Sequence, residues 1–152
     1  MIKFKSTPFR IEHVDLMDLR PEEISGSSLA DAKKRISELA LQSTQALTYT
    51  YDGRVIAAMG FILLWDGVIQ GWVVPTLHVY TVPVGFAKTV KRYVEAVAET
   101  FKCHRFQTGS YVDPMHKRWM EFLGFESEGV MKQFTPDKRD YENYARFFTW
   151  PK

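Results

Sequence analysis

The stretch best suited to chemistry is Val82-Pro83-Val84-Gly85-Phe86-Ala87-Lys88. It follows an apolar run, Gly71-Trp72-Val73-Val74-Pro75, and a loop through His78 and Tyr80, and it opens a helix. Backbone N–H groups in the first turn of a helix lack partners inside the helix, and the positive end of the helix dipole lies behind them. Small residues at Gly85 and Ala87 let an anion approach those amides, so the chemistry on offer is the binding of a phosphate. Close packing of a helix on a strand would use the same small residues.

The elements that must position this stretch follow from periodicity. Phe86, Val90, Tyr93, Val94, Val97 and Phe101 fall on one face of the helix, and Lys88, Lys91, Arg92, Glu95 and Glu99 on the other, which predicts one face packed on a sheet. Arg105 to Tyr111 reads as a short strand. A strand-helix-strand crossover of this length implies parallel pairing with Val68–Val74, and the two neighbours are expected to splay open. Asp113-Pro114 then starts a helix, with an acid at the N-cap and proline at the first helical position. Met115, Trp119, Phe122 and Leu123 form its expected apolar side, and Gly124 stops it.

The rest of the chain supplies sheet and cover. Phe9 to Val14 alternates apolar and polar residues, predicting a first strand, and Arg20-Pro21-Glu22-Glu23 starts a short helix that Gly26 ends. Ser27 and Ser28 cap a second helix with the buried stripe Leu29, Ala32, Ile36, Leu39 and Ala40. Leu47 to Tyr51 and Val55 to Leu64 form a hairpin about Asp52-Gly53, whose residues suit the positive φ angles of a primed turn, and Asp66-Gly67 predicts a second such turn. Two last strands, Phe125 to Phe134 and Tyr141 to Phe148, flank the turn Pro136-Asp137-Lys138. Phe147, Phe148 and Trp150 are expected to pack on an edge strand, at a homodimer contact in one reading.

Composition narrows the function classes. The 152 residues predict a single domain, and 45% hydrophobic with 25% charged residues is the balance of a globular protein. A formal charge of +2 does not mark a nucleic-acid binder. Cys103 stands alone, which excludes an internal disulfide, and His13, His78, His104 and His116 are scattered without ligand spacing, so no metal is expected. No run approaches the roughly 18 apolar residues of a membrane span, and the first residues lack the apolar stretch of a signal peptide. These features predict a cytoplasmic protein. Neither a nucleophile elbow nor a phosphate loop ending in Gly-Lys-Ser/Thr is present.

The order β-α-α-β-β-β-α-β-α-β-β, with a phosphate-ready loop after the fourth strand, resembles the GNAT acyl-CoA N-acyltransferase superfamily over nearly the whole chain. Two stretches carry the resemblance. Val82-Pro83-Val84-Gly85-Phe86-Ala87 keeps the Gly and the small residue of the superfamily's acyl-CoA loop but lacks its leading Gln or Arg. Asp113 to Phe125 is similar to the superfamily's Asn-led helix ending in Leu-Gly-Phe, here Leu123-Gly124-Phe125. The resemblance implies an α/β fold with a mixed, mostly antiparallel sheet of about seven strands and about four helices, and transfer of an acetyl group from acetyl-CoA to an amine by direct attack. It places the pyrophosphate on the amides of Val84, Gly85, Phe86, Ala87 and Lys88, the pantetheine arm along the backbone of Trp72, Val73 and Val74, and the thioester beside the strand end at Thr108 to Tyr111. Lys91 and Arg92 either reach the nucleotide phosphate or form a solvated helix face.

Departures from the superfamily pattern leave the chemistry open. Met120 stands four residues before Gly124, where many members have a Tyr that protonates the leaving thiolate, and Asp113 replaces the usual Asn. Val68–Val74 holds no carboxylate to act as base, so acid–base work falls to His78, Tyr80, Tyr111 or His116, or to water. A looser resemblance, carried by Trp72-Val73-Val74-Pro75, the loop with His78 and Arg118-Trp119, is to small GNAT-like proteins of tailed phages. It implies a scaffold kept for partner binding, in the host cytoplasm or the virion, rather than for catalysis.

Overall fold

The computed structural model describes residues 4–152. In chain order the elements are β1 (Phe4–Pro8), a 3-10 segment (Ile11–Leu16), α1 (Pro21–Ile24), α2 (Leu29–Gln42), β2 (Gln45–Tyr51), β3 (Arg54–Trp65), β4 (Val68–Pro75), a second 3-10 segment (Leu77–Thr81), α3 (Pro83–Phe101), β5 (Arg105–Tyr111), α4 (Pro114–Phe122), β6 (Glu126–Met131) and β7 (Tyr141–Phe147). The strands form one open, mixed seven-stranded sheet in the order β1-β2-β3-β4-β5-β7-β6. The pair β4–β5 is parallel, while β1–β2, β2–β3, β5–β7 and β6–β7 are antiparallel. The chain groups into two compact units, one of residues up to Ile62 with Trp72–Pro83, the other of Leu63–Gly71 with Val84–Lys152.

In the first unit the core is built from Val14, Met17, Leu19, Ala32, Ile36, Val55, Ala58 and Val74, with Trp72 packed against it. Ser28 caps α2 by accepting a hydrogen bond from the Asp31 amide, and Ala32, Ile36 and Ala40 bury the stripe that periodicity predicts, although Leu29 is exposed. The first strand lies earlier than expected. Pro8 is the last residue of β1, and Phe9 to Val14 does not extend it. The Arg10 amide instead donates to His13 Nδ1 at 3.1 Å, a local bond that winds Ile11–Leu16 into a 3-10 turn. Asp52 and Gly53 both take positive φ (52° and 80°), as a primed turn requires, whereas at Asp66-Gly67 only the glycine does (φ 85°), so that second turn is of another kind. Gly60 is obligatory by space, since a Cβ there would stand 2.2 Å from the Gln45 carbonyl oxygen and 2.9 Å from the Trp72 ring.

In the second unit α3 buries Phe86, Val90, Val94, Val97 and Ala98. The parallel ladder comprises Val68↔Arg105, Ile69↔Phe106 and Gln70↔Gln107, reinforced by a 2.7 Å bond from Gln107 Nε2 to Gln70 Oε1. Beyond it β5 continues to Tyr111 along β7. Arg146 fastens the layers, donating to the Leu123 carbonyl (2.9 Å) and to Glu95 Oε2 (2.7 Å). The last strand is not an edge, because β7 lies between β5 and β6. Its aromatics meet cations and each other: Arg105 sits over Phe147, Arg146 over Phe148, and Trp150 stacks on Phe148 while donating to the Cys103 carbonyl. No helix among the described residues is long and apolar enough to cross a membrane.

Candidate functional site

The end of β4 is held rigidly within the first unit. Alternation along the strand turns Val74 into the core, while Trp72 on the same face donates its indole N–H to Ser43 Oγ at 2.8 Å. Val73, on the other face, is half-buried. Thr76 closes the strand. It is fully buried, its amide donates to the Ile56 carbonyl at 2.9 Å, and its hydroxyl donates to the Val55 carbonyl at 2.7 Å while accepting from the His78 amide at 3.3 Å. This fixes the backbone path through Trp72, Val73 and Val74.

The loop after Thr76 turns its two acid–base candidates toward the segment before α1. His78 Nε2 lies 2.6 Å from Asp18 Oδ2, and the Tyr80 hydroxyl accepts from Arg20 Nη1 at 3.4 Å. Arg20 is buried. Burial alone would lower its pKa, but Glu23, Tyr80 and Glu22 more than offset this and hold the guanidinium above its ordinary value. Neither Asp18 nor Arg20 was a candidate for chemistry in the sequence, where Arg20 only opened a helix. Glu23 is three residues from Arg20, but His78 and Tyr80 lie 60 positions from Asp18 and Arg20, beyond any local spacing rule.

In the second unit α3 begins at Pro83, one residue inside the sequence motif. Proline brings no N–H, and the Val82 amide is used by the Val79 carbonyl. The amides of Val84 and Gly85 are therefore the first-turn donors left without a partner among the described residues, while those of Phe86, Ala87 and Lys88 belong to the helix's own ladder. Val84 and Lys88 are exposed, and Gly85 and Ala87 are half-buried. Phe86 is fully buried and stacks on Trp119 of α4, with ring centroids 5.5 Å apart and planes 6° from parallel. Lys91 lies with Nζ 5.0 Å above the Phe122 ring, and Arg92 is exposed.

The start of α4 gathers a polar cluster that the apolar pattern did not predict. Its inner face is His116, Met120 and Leu123, while Met115 and Phe122 are exposed. Asp113 caps the helix through Oδ1, which accepts from the His116 amide at 2.8 Å, and its Oδ2 meets His116 Nδ1 at 2.6 Å. Burial would raise the Asp113 pKa, but the amide and ring of His116 and the Met115 amide hold the carboxyl below its ordinary value. Tyr111, at the end of β5, points an edge at the His116 ring (centroids 5.8 Å) and carries the Arg139 guanidinium 4.2 Å over its own face. Tyr141 meets Tyr111 edge-on and stacks on Phe134, crossing β5 where Gly109 leaves room; a Cβ there would lie 2.3 Å from the Tyr141 ring. The signal for the Asp113–His116 pair was present in the sequence, as an N-cap acid three residues before a histidine.

The structure thus offers two free amides at a helix start, an extended backbone pinned by Thr76, and a carboxylate–imidazole pair. No group of three or more His, Cys, Asp or Glu side chains among the described residues is arranged to hold a metal. No family model matches the chain, and no curated protein does. Solved structures do. Ard1 from Thermoplasma volcanium superposes with a TM-score of 0.79 at 9% identity, covering 97% of this chain and 99% of that one. The fold is that of the GNAT acetyltransferases. A GNAT-family acetyltransferase from Bacillus anthracis matches with a TM-score of 0.70 at 13% identity over 97% and 98% of the two chains. A mutant of the spermidine N-acetyltransferase SpeG from Vibrio cholerae gives 0.71 at 10% identity over 95% and 94%. At these identities the likeness is one of fold alone.

Proposed function

We propose that this protein is an N-acetyltransferase that takes its acetyl group from acetyl-CoA and passes it to an amine by direct attack within a ternary complex. The observation that carries the reading is the pair of amides at Val84 and Gly85 that have no partner among the described residues, opened at the start of α3 by Pro83, in a chain of which 97% follows the fold of a solved GNAT-type structure. In this reading the CoA pyrophosphate rests on the first turn of α3, from Val84 to Lys88, where donors and helix dipole favour negative charge. The acceptor amine attacks the thioester carbonyl next to the end of β5. Positioning both reactants supplies much of the rate enhancement of such a transfer.

Calorimetric titration of CoA into wild type and Gly85→Glu tests the reading, with folding checked by circular dichroism. The glutamate introduces bulk and like charge in the path of the pyrophosphate, so binding falls steeply in folded protein. Equal, measurable affinity in both proteins would refute the placement of the site. A ligand at about 100 times its dissociation constant stabilises a protein by roughly 2.7 kcal/mol. No thermal shift with millimolar acetyl-CoA would refute the activity itself and return the chain to a scaffold role.

A further inference from the structure

We propose that His116, oriented by Asp113, carries the proton of the transfer reaction. The inference rests on the acetyl-CoA reading and adds a catalytic residue to it. His116 lies one turn before Met120 on the same buried face of α4, and the Met120 thioether has no proton to exchange. The Tyr144 phenol is already committed, donating to Glu142 Oε1 at 3.0 Å. Burial, with Glu142, Glu121 and Asp113 adding to it, pushes its pKa up to about 12.

The geometry around His116 fixes which nitrogen works. Asp113 is held in its carboxylate form and can only accept, so the hydrogen at the 2.6 Å contact sits on Nδ1. Nε2 then bears the lone pair and takes no partner among the described residues. The ring is buried, with the edge of Tyr111 against it, and Tyr111 ends the strand beside which the thioester is placed. An imidazole tied to a carboxylate through one nitrogen, with the other nitrogen free, is arranged to take up and release a proton.

The step balances without a further reactant. As the amine nitrogen bonds to the thioester carbonyl carbon, Nε2 takes one N–H proton and the imidazolium is held against Asp113. As the C–S bond breaks, Nε2 gives that proton to the departing sulfur, leaving the amide, the CoA thiol and a neutral ring. One proton has moved from nitrogen to sulfur.

The test is long-range proton–nitrogen NMR of histidine-labelled protein titrated with CoA and with desulpho-CoA, which lacks the thiol, after calorimetry has established occupancy of each. His116→Asn assigns the resonances, and Asp113→Asn serves if that variant does not fold. The free protein should show the Nδ1–H form of His116. CoA should shift its Nε2 resonance, desulpho-CoA at equal occupancy should leave it in place, and Asp113→Asn should convert the ring to a mixture of tautomers while still capping α4. A ring protonated at Nε2 with Nδ1 bare, or an equal response to the two ligands, overturns the proposal. Absence of binding by either ligand appears in the calorimetry and defeats the acetyl-CoA reading, and this inference with it.

Discussion

Two histidine–aspartate pairs of the same length occupy different regions of the molecule, and they teach different things. His78 and Asp18 meet at 2.6 Å across 60 positions of sequence, through Nε2, with the carboxylate 65% exposed. His116 and Asp113 meet at 2.6 Å within one helical turn, through Nδ1, on a buried ring. The first joins the loop after β4 to the segment before α1, alongside the Leu77 amide bonded to the Asp18 carbonyl. The second leaves Nε2 of His116 without a partner among the described residues. Distance alone does not distinguish a fastening from a proton carrier. Burial does: the histidine side chain is 24% exposed at His78 and 11% at His116, and the carboxylate 65% against 32%.

The comparison breaks most visibly in turnover. His116→Asn should lower the rate of thiol release from acetyl-CoA by roughly 10²- to 10⁴-fold, the range of general acid–base catalysis, while CoA affinity by calorimetry stays the same. His78→Asn should change that rate by less than about tenfold, since no proton transfer is lost. The reverse ranking would make the exposed pair the functional one.

Stability gives the next largest effect. Met120 is 4% exposed on the face it shares with His116, and Met120→Ala should cost about 2–5 kcal/mol in denaturant unfolding, as truncation of a buried methionine does. The rate per folded molecule should be nearly unchanged, because the thioether transfers no proton. A large loss of turnover in folded Met120→Ala protein would move the chemistry one turn along α4.

Asp113 separates cap from charge. Asp113→Ala should lose about 1 kcal/mol as the N-cap disappears, whereas Asp113→Asn keeps a good cap. The folded pKa of Asp113 is lowered, so its stabilising effect is complete above the unfolded carboxylate value, near pH 4, and is lost as pH falls through the folded value. Asp113→Asn should therefore be less acid-sensitive than wild type in urea melts below about pH 4. An identical acid profile in the two proteins would mean that the His116 contact adds nothing to folding.

The smallest effect belongs to the exposed pair. Asp18→Asn should cost no more than about 1 kcal/mol, and the difference from wild type should shrink as salt is added. A cost that persists at high salt would show that the His78 contact is a neutral hydrogen bond rather than an ion pair.

Much of the fold was legible before any coordinates. The Asp52-Gly53 hairpin, the Ser28 and Asp113 caps, the bounds of β5 and the buried face of α3 all follow from signals a few residues long, and all are found. The first strand failed for an instructive reason. The alternation from Phe9 to Val14 was real, but a bond from the Arg10 amide to the His13 ring offered the backbone a local alternative to a sheet. The inner face of α4 was read only in part. Hydrophobicity placed Met115, Trp119, Phe122 and Leu123 inward; Leu123 is buried and Trp119 stacks on Phe86, but Met115 and Phe122 are exposed, and a histidine whose Nδ1 is already bonded to the cap is buried instead.

What the sequence determined by itself is most of the elements, the Ser28 and Asp113 caps and the Asp52-Gly53 turn, because each depends on neighbours within a few residues of chain. The tertiary structure alone decided that β7 lies between β5 and β6, that Arg20 is buried and donates to Tyr80, and that His78 is committed to Asp18. It also decided that Pro83 and the Val79 carbonyl leave the Val84 and Gly85 amides as the open donors of α3. These outcomes rest on which buried surfaces fit and which polar groups find partners far along the chain. A one-dimensional pattern does not encode such pairings, because the same residues satisfy the same spacing rules whichever distant partner they meet.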